Sequence, residues 1–508
     1  MRKLIWLVLL ISIIACDSKK SNEKDMPLNT EYQEQHRLQF HFSPKEKWMN
    51  DPNGMVYHNG EYHLFYQYYP DSTVWGPMHW GHAVSKDLLH WEHLPIALYP
   101  DSLGYIFSGS AVLDKDNTSG FGSAENPPLI AIFTYHDITG ERAGDILFQT
   151  QAIAYSLDDG RTWTKYSGNP VIKNPGIKDF RDPKVFWHDS QDKWVMALAV
   201  KDHISFYSSK NLKDWAHESD FGSTLGGHGG VWECPDLFRI EDKWILLVSI
   251  NPGGPNGGSA TQYFVGDFDG KTFTPQDDKT RWLDYGRDNY AGITWSNIPD
   301  SDGRKVFIGW MSNWDYANVV PTEKWRSAMT LPRELSIYKS ENGYAVKSSL
   351  VKEVENLHGE LREINSTNKT VELNPDNWTQ YDLNLELSGQ DLNKHSFEIQ
   401  LYNELNDTLN LGFKAETQQF YINRDKAGNN DFATNFNGIQ TAPFSIQGDK
   451  VSIRLLVDIG SVEVFLNEGE LTMTSLFFPQ QPLAQIELNS KSSLTVKGTI
   501  FEMKSIWQ

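Results

Sequence analysis

The sequence predicts an all-β protein in which a β-propeller of about five blades is followed by a β-sandwich. The length of 508 residues is about three to five times that of a typical single domain, which favours two domains of unequal size. Between about residues 40 and 340, apolar runs end at Gly, Asp, Asn or Pro, as short β-strands do. After residue 356 the strands alternate more strictly, which indicates a second kind of β domain.

The composition is that of a soluble folded protein. Hydrophobic residues make up 39% and charged residues 22% of the chain, with 18 Trp, 21 Tyr and 26 Phe. The formal net charge of −20 is not offset by a basic segment, which argues against a nucleic-acid partner and an anionic membrane surface. A neutral carbohydrate fits this acidic chain better than a nucleic acid or an anionic membrane does. The many Trp residues agree with such a partner, because Trp packs well against the apolar face of a sugar ring, although Trp is also ordinary core material.

The first 15 residues are predicted to be a lipoprotein signal peptide. A basic start precedes an apolar run over residues 4–14, shorter than the roughly 20 residues that a transmembrane helix needs. Cys16 follows an alanine, as in the bacterial lipobox, although the two isoleucines before that alanine leave an ordinary signal peptide as an alternative. The polar residues 16–36 predict a flexible tether. We therefore expect an exported bacterial lipoprotein at the periplasmic face or cell surface, which touches the membrane only through its lipid anchor.

Two recurring patterns predict the propeller over residues 37–340. A turn before an apolar strand occurs at residues 59–62, 191–194, 241–244 and 302–305, with an aromatic residue in the first three. A polar turn that leads to Trp occurs at residues 85–91, 156–163 and 209–215, with Phe273 as a fourth candidate. Spacings of about 50–70 residues suit four-stranded blades. A β-sandwich with chance internal similarity is the alternative.

Residues 356–508 are predicted to form the β-sandwich. Trp becomes rare in this region, and apolar residues occupy every second position at Val451, Ile453, Leu455 and Val457. This period of two, with one polar face, is typical of an antiparallel sandwich. We expect the second domain to pack against the first.

Three acidic residues lie in short segments rich in aromatic residues, Pro, Gly or Arg. Asp51 lies in WMNDPNG, Asp182 in FRDP and Glu233 in WECPD. Carboxylates beside aromatic groups can differ widely in pKa, so that one serves as a nucleophile or base while another stays a protonated acid. The alternative is that these segments are ordinary turns, because Asp, Pro, Asn and Gly favour turns for local reasons.

Other chemistries are less well supported by the sequence. There is no His-Glu-x-x-His motif and no close cysteine pair, which argues against a zinc site. The Gly-rich residues 251–260 lack the ending of a phosphate-binding loop, and no Gly-x-Ser-x-Gly elbow is present. The sequence therefore predicts no metal and no cofactor.

The three acidic segments, in this order and spacing, resemble glycoside hydrolase family 32, the group of invertases, levanases and inulinases. The resemblance covers about residues 38–508. Further matching segments are FYQ at 65–67, WG at 75–76, HWGHA at 79–83, FSGS at 107–110, YAG at 290–292, GWMSNW at 309–314, WRS at 325–327, PRE at 332–334 and residues 458–465. The resemblance implies a five-bladed propeller with a funnel-shaped site on its axis and a C-terminal sandwich.

The resemblance also implies a role for each acid. Asp51 would attack the fructosyl C2 as the nucleophile, Glu233 would be the acid and then the base, and Asp182 would stabilise the transition state through fructose hydroxyls. Retention of configuration needs two carboxyl groups about 5–5.5 Å apart. The residues implied to bind the terminal fructose are Asn50, Gln67, Trp75, Phe107, Ser108, Arg181 and Trp310.

The substrate class follows from the same resemblance. Residues 310–332 are closer to exo-acting levanases and inulinases than to sucrose invertases, so we expect release of fructose from levan or inulin, and from sucrose. An endo-acting levanase, a fructosyltransferase and a non-catalytic fructan-binding lipoprotein are the alternatives. The sequence leaves open the oligomeric state and any role of the sandwich beyond packing.

Overall fold

The computed structural model describes residues 31–375 and 378–507, and it confirms the all-β prediction. The strands of this part of the chain are accompanied by one α-helix, α1 (Ile138–Arg142), and by five short 3₁₀ helices. The 3₁₀ helices are Asp189–Gln191, Lys352–Leu357, Leu392–Lys394, Thr434–Phe436 and Asn467–Gly469. None of the described helices is long and apolar enough to cross a membrane. The predicted signal peptide and Cys16 lie outside the described residues.

The N-terminal domain consists of five antiparallel sheets, which are the blades of the predicted propeller. Blade 1 contains β1 (Lys47–His58), β2 (Glu61–Tyr69), β3 (His79–Ser85) and β4 (Glu92–Leu98). Blade 2 contains β5 (Tyr105–Leu113), β6 (Leu129–His136), β7 (Gln149–Ser156) and β8 (Thr164–Lys165). Blade 3 contains β9 (Phe180–His188), β10 (Lys193–Val200), β11 (His203–Ser209) and β12 (Trp215–Phe221).

Blades 4 and 5 follow in chain order. Blade 4 contains β13 (Val231–Ile240), β14 (Lys243–Asn251), β15 (Ala260–Phe268), β16 (Phe273–Pro275) and β17 (Arg281–Trp282). Blade 5 contains β18 (Tyr290–Thr294) and β19 (Lys305–Met311) and, after β20 (Trp325–Arg326), which joins blade 1, also β21 (Ala328–Met329), β22 (Arg333–Ser340) and β23 (Gly343–Leu350).

The first strand of each blade faces the propeller axis, and these five inner strands form a closed ring. β1 contacts β5, β5 contacts β9, β9 contacts β13, β13 contacts β18, and β18 contacts β1. β20 pairs in parallel with β1, so the chain that leaves blade 5 closes the ring. In the described sheets β9 and β13 are edge strands, which can hold Pro183 and Pro235 because no strand hydrogen bond is lost there.

The two recurring sequence patterns occupy equivalent places in different blades. The first forms the turn before the second strand of blades 1, 3, 4 and 5. The second forms the turn between the third and fourth strands, where the indole Nε1 of Trp91, Trp163 and Trp215 donates to the carbonyl three residues earlier at 3.0–3.1 Å. Phe273 begins the fourth strand of blade 4, at the corresponding place. The Trp side chain thus fastens its own turn.

The C-terminal domain confirms the predicted sandwich. Its strands are β24 (His358–Glu372), β25 (Tyr381–Ser388), β26 (Phe397–Tyr402), β27 (Thr408–Lys414), β28 (Gln419–Lys426), β29 (Ile439–Pro443), β30 (Lys450–Asp458), β31 (Ser461–Leu466), β32 (Leu471–Leu476) and β33 (Gln485–Met503). The start of β33 pairs with β26 and its end with β25, so this long strand belongs to both layers. Val451, Ile453, Leu455 and Val457 are buried in the one core that both layers share.

The chain departs from the predicted domain boundaries at two places. β23 is paired with β22 in blade 5, so this sheet extends past the predicted propeller end at residue 340. Residues 31–36, predicted as the end of the tether, pack against the folded domains. The ring of Tyr32 stacks on Trp507 with the centroids 3.9 Å apart, and this aromatic contact holds the segment in place.

Buried charged side chains join the two domains. Arg333 of blade 5 lies 2.9 Å from Asp284 and also donates to Glu463 of the sandwich. The imidazole of His41 lies between two sandwich carboxylates, 2.8 Å from Asp458 and 2.9 Å from Glu463. All five side chains are buried.

A second group of buried side chains extends this junction. Arg424 of the sandwich donates to the carboxylate of Asp288 at 2.6 Å and to the hydroxyl of Tyr316 at 2.9 Å. The interface network consists of His41, Asp284, Asp288, Tyr316, Arg333, Arg424, Asp458 and Glu463. Because each carboxylate in it contacts at least one cationic or imidazole group, the network is electrostatically compensated.

Candidate active site

Each inner strand contains a β-bulge, with one extra residue relative to the strand beside it, and β1 contains a second bulge between residues 53 and 56. In blade 3, Arg181 pairs with Ala199 and Lys184 pairs with Ala197. The chain thus advances three residues along β9 for two residues along β10. The same interval occurs in the other four blades, between residues 49 and 52, 106 and 109, 233 and 236, and 290 and 293. Such β-bulges turn side chains out of the regular alternation, and they are common beside active sites.

The five bulges hold most of the predicted site residues. Asp51, Ser108 and Asp182 lie inside a bulge, whereas Arg181 and Glu233 lie at the end of one. Asp182 has a φ of 63°, a left-handed conformation that non-glycine residues seldom adopt. The bulges bring side chains from different blades together on the axis.

Glu233 has donors on both carboxylate oxygens. Arg181 donates to Oε1 from Nη2 at 2.9 Å and from Nε at 3.3 Å. The hydroxyl of Tyr290 donates to Oε2. Burial, together with the charge of Glu233, raises the pKa of Tyr290 well above its usual range, so the phenol keeps its proton and acts as the donor. Arg181 is itself held by Asp179, 2.8 Å from its Nη1.

Asp51 is fixed by two uncharged donors. The Asn50 amide donates to Oδ1 at 3.0 Å, and the Ser108 hydroxyl donates to Oδ2 at 2.8 Å. The indole Nε1 of Trp48 donates to the Asn50 side chain at 2.7 Å and fixes its orientation. Asp51 therefore presents a carboxylate that is oriented without a cation in contact with it.

Cys234 lies between the two aspartates. Its backbone N–H donates to Oδ2 of Asp182 at 3.0 Å, and its Sγ lies 3.7 Å from the same oxygen and 3.6 Å from Oδ2 of Asp51. Burial and the nearby carboxylates raise the pKa of the Cys234 thiol well above its usual range. The thiol therefore stays protonated and cannot act as a thiolate nucleophile.

The site holds three carboxyl groups and a single guanidinium, and their pKa values reflect this imbalance. Burial raises the pKa of Asp51; the hydrogen bonds from Asn50 and Ser108 oppose the rise, and the charge of Glu233 adds to it. Burial raises the pKa of Asp182 to about 7, against the effect of Arg181 and with the help of the other two acids. Such under-compensated carboxyl groups are typical of catalytic sites.

Aromatic side chains form the walls around these acids. Trp75 and Phe107 meet edge to face with their centroids 6.1 Å apart, and Phe107 stacks on His136 at 4.2 Å. Both Trp75 and Phe107 are partly exposed. The backbone N–H of Trp75 donates to the Asn318 side chain at 2.8 Å, which ties a loop of blade 1 to a loop of blade 5.

The second aromatic wall differs from the sequence-based expectation. Trp310, predicted to contact substrate, has no exposed surface and lies behind Trp314, whose ring is 4.9 Å away and partly exposed. The position of each ring in the fold explains the difference. Trp310 lies within β19, where its side chain is buried in the sheet, whereas Trp314 follows the strand in a loop. Trp314, which the sequence analysis did not select, presents the surface.

Gln67 lies on β2 opposite the bulge that contains Asn50 and Asp51. It is buried, and its Nε2 has no hydrogen-bond partner among the described residues. This leaves a donor for a ligand hydroxyl, and the binding role of Gln67 stays a prediction. The three predicted acids and the predicted residues Asn50, Ser108 and Arg181 are thus brought into one hydrogen-bonded cluster, with Gln67, Trp75 and Phe107 around it.

Two residues of the cluster were not selected from the sequence. Tyr290 occupies the same bulge position in blade 5 that Glu233 occupies in blade 4, and Cys234 immediately follows Glu233. The matching segment YAG points to Tyr290, but the sequence does not indicate that the hydroxyl of Tyr290 contacts Glu233. Within residues 31–375 and 378–507, no group of three His, Cys, Asp or Glu side chains is arranged to hold a metal ion.

A five-bladed propeller whose axis holds three carboxyl groups from three blades, between aromatic walls, defines a glycoside hydrolase. The chain belongs to glycosyl hydrolase family 32. Residues 41–348 match the model of the "Glycosyl hydrolases family 32 N-terminal domain", and residues 351–508 match "Glycosyl hydrolases family 32 C terminal".

Individual relatives agree with this assignment. The chain is 46% identical to the levanase of Bacillus subtilis (strain 168), over all of this chain and 76% of the levanase. It is 39% identical to the extracellular exo-inulinase of Aspergillus awamori, over 94% of this chain and 96% of that protein. A crystal structure of exo-inulinase from Aspergillus awamori superposes with a TM-score of 0.85 at 37% identity and covers 94% of this chain and 100% of its own.

Proposed function

We propose that this protein is a retaining exo-fructan hydrolase, which releases fructose from the ends of β-fructans and from sucrose. One observation carries the proposal: Asp51 and Glu233 lie on different blades of one axial cluster, each with its own set of donors. The likeness to a levanase and to an exo-inulinase supports a fructan as the substrate.

In the first step Asp51 attacks C2 of the terminal fructose, and the bond from C2 to the linking oxygen breaks. Glu233 gives its proton to that oxygen, so the rest of the chain leaves as an alcohol and an ester between fructose and Asp51 remains. Asn50 and Ser108 support this step because they fix the attacking carboxylate at 3.0 and 2.8 Å.

In the second step Glu233 removes a proton from water, and the water oxygen attacks C2 and releases Asp51 as a carboxylate. Arg181 and Tyr290 donate to the two oxygens of Glu233 and stabilise its charged form between the steps. Asp182 accepts hydrogen bonds from fructose hydroxyls and stabilises the positive charge that develops at C2.

Exo-action is supported by the rim of the site. The contact of Trp75 with Asn318 joins loops of blades 1 and 5 beside the acids, as expected for a pocket that admits one chain end. Trp314 and Phe107 supply apolar faces for the terminal sugar ring.

We extend the proposal to the location of the protein. The pattern of residues 1–16 supports export, cleavage before Cys16 and lipidation of that cysteine. A relative described as extracellular supports export as well. On this proposal the propeller acts on fructan at the periplasmic face or the cell surface.

The test is to incubate the purified protein with levan, inulin and sucrose separately and to resolve the products by chain length over time. Fructose alone from the earliest points supports the proposal, and proton NMR of the first turnovers should detect the β-anomer before mutarotation. A ladder of oligosaccharides would contradict exo-hydrolysis and indicate endo-action. Products longer than the substrate would indicate fructosyl transfer. Binding without any product would indicate a fructan-binding protein.

A pair of variants assigns the activity to this site. Glu233→Ala should lower kcat by about 10²–10⁴-fold, the usual contribution of general acid–base catalysis, while the melting temperature is kept. Glu92→Ala, at an exposed position of β4, is the matched control and should keep full activity. Activity of Glu233→Ala near that of the control would remove the assignment.

A further inference from the structure

A second cavity lies at the other end of the propeller axis. This distal cavity has a volume of about 580 Å³ and is lined by the far parts of β5, β9 and β13, by the last residue of β18 and by residues 295–298 after it. In β13 its lining runs from Asp236 to Arg239, three to six residues beyond Glu233, which is about 10–20 Å at the usual rise per residue. The distal cavity is therefore separate from the candidate active site.

The axis between the two sites is filled by side chains. Pro52, Pro183 and Pro235 enclose a void of about 10 Å³ there, room for about one water molecule. A fructan chain bound at the active site therefore cannot reach the distal cavity along the axis. A ligand must enter from the opposite face, where Lys115, Asp116 and Ser190 are exposed at the mouth.

The distal cavity contains buried polar groups that its own fold leaves unpaired. Asp236 is fully buried, and Oδ2 accepts from Lys184 at 3.2 Å and from the backbone N–H of Thr294 at 2.6 Å. Its Oδ1 has no partner among the described residues. His188 is 9% exposed, and its Nε2 likewise has no partner in the described chain. An unpaired buried acceptor costs free energy unless a ligand or water satisfies it.

Aromatic faces lie beside these polar groups. Trp244 stacks on His188 with the centroids 5.6 Å apart and is partly exposed, and Phe186 packs against Trp244 at 5.4 Å. Trp187 also lines the cavity and is partly exposed. Flat apolar faces beside hydrogen-bonding groups are the usual composition of a sugar-binding site.

We propose that the distal cavity is a second, non-catalytic binding site for a neutral mono- or disaccharide. A sugar hydroxyl both donates and accepts, which matches the carboxylate of Asp236 beside the ammonium of Lys184. The mouth carries charges of both signs, Asp116 and Asp189 with Lys115 and Arg239, so neither an anion nor a cation is favoured. The volume lies within the usual range of about 300–1,000 Å³ for small-molecule sites. This proposal does not rest on the proposed function.

The test counts bound sugar. Equilibrium dialysis of Glu233→Gln, in which turnover is suppressed, against radiolabelled sucrose should give two molecules per chain at saturation. Adding Ser190→Trp, which blocks the mouth without removing core atoms, should reduce this to one, and adding Trp244→Ala should do the same. Trp215→Ala, a half-buried tryptophan away from the cavity, is the matched control and should keep two.

Each result decides the question. Binding that stays unchanged in the Ser190→Trp and Trp244→Ala proteins overturns the proposal, whatever its stoichiometry. If a single molecule binds and is lost in both variants, the distal site stands and it is the proposed function that is in doubt. Ser190→Trp in the otherwise unaltered enzyme should keep kcat and KM for sucrose within about twofold, because the two sites are separate.

Discussion

The buried carboxyl groups of the propeller axis and those of the interface network have different surroundings. At the interface, Glu463 contacts both Arg333 and His41, and Arg333 lowers its pKa although burial alone would raise it. On the axis, Asp51 has only uncharged donors, and its pKa is raised. A carboxyl group that is largely withdrawn from water is thus stabilised in one region and left reactive in the other.

The difference separates stability from catalysis. Removing one partner from a compensated buried pair leaves an unpaired charge in a low dielectric, so the interface should be sensitive to mutation in its stability. Neutralising Asp51 or Asp182, neither of which contacts a cation in the described chain, relieves repulsion, so these two positions should be sensitive in their activity only. The following predictions test this contrast.

The largest effect is expected on the axis. Asp51→Asn should lower kcat by about 10³–10⁴-fold because an amide cannot form the ester, while the melting temperature is unchanged or higher. Initial rates on inulin and thermal unfolding by circular dichroism measure the two quantities. A fall in stability together with activity would contradict the contrast.

The reverse result is expected for Arg333→Met. This change leaves Asp284 and Glu463 buried without their shared cation and should cost about 3–5 kcal/mol of unfolding free energy. The kcat of the folded protein should stay within about twofold. Lys450→Met, in an exposed pair with Glu386, is the control and should cost less than about 1 kcal/mol. An equal loss of unfolding free energy in the two variants would mean that the interface network does not add to the stability.

The pH dependence of stability should fall in a different pH interval in each of the two regions. The pKa of Asp182 is about 7 in the folded protein, above its unfolded value of 3.8, so its ionisation costs stability as the pH rises through this interval. Asp182→Asn should therefore be more stable than the parent by up to about 4 kcal/mol above pH 7 and equal to it near pH 4. Melting temperatures from pH 4 to 8 measure the difference, and a gain that is constant with pH would refute it.

At the interface stability should also fall as the pH rises, but through His41 and in a higher pH interval. Burial disfavours its charge, but the contacts with Asp458 and Glu463 outweigh this and raise its pKa to about 9. The stabilisation is complete below pH 6.5 and is lost as the pH rises through 9, a change of about 3 kcal/mol. The stability difference between the parent and His41→Gln should shrink over this range. A difference that does not vary between pH 6 and 9.5 would exclude a charged His41.

The sequence was sufficient to predict the architecture and to predict which three acids lie together. The turn patterns that end in Trp91, Trp163 and Trp215 are local, because each indole bonds to a carbonyl three residues away, so they are visible in the chain itself. The segments around Asp51, Asp182 and Glu233 are equally local. Both kinds of signal therefore led to correct expectations about the fold and about which acids lie together.

What the sequence did not contain depends on neighbours far along the chain. The bulges arise from the pairing of inner strands with the strands beside them, so neither Tyr290 nor the φ of Asp182 could be read from periodicity. To choose between Trp310 and Trp314 as the exposed wall of the site, one must know which of the two rings is buried behind the other. The interface network joins residues far apart in the chain, such as Arg333 and Glu463, which are 130 positions apart, and no local pattern marks them as partners.

The three acids of the axis come from blades 1, 3 and 4, and this distribution has a practical consequence. A cut in the connection at residues 166–179, between blades 2 and 3, would leave Asp51 on one fragment and Asp182 and Glu233 on the other. Neither fragment would contain a complete set of acids, so neither could turn over substrate alone. The enzyme could thus serve as a split reporter, in which the release of fructose signals that two fused partners have brought the halves together.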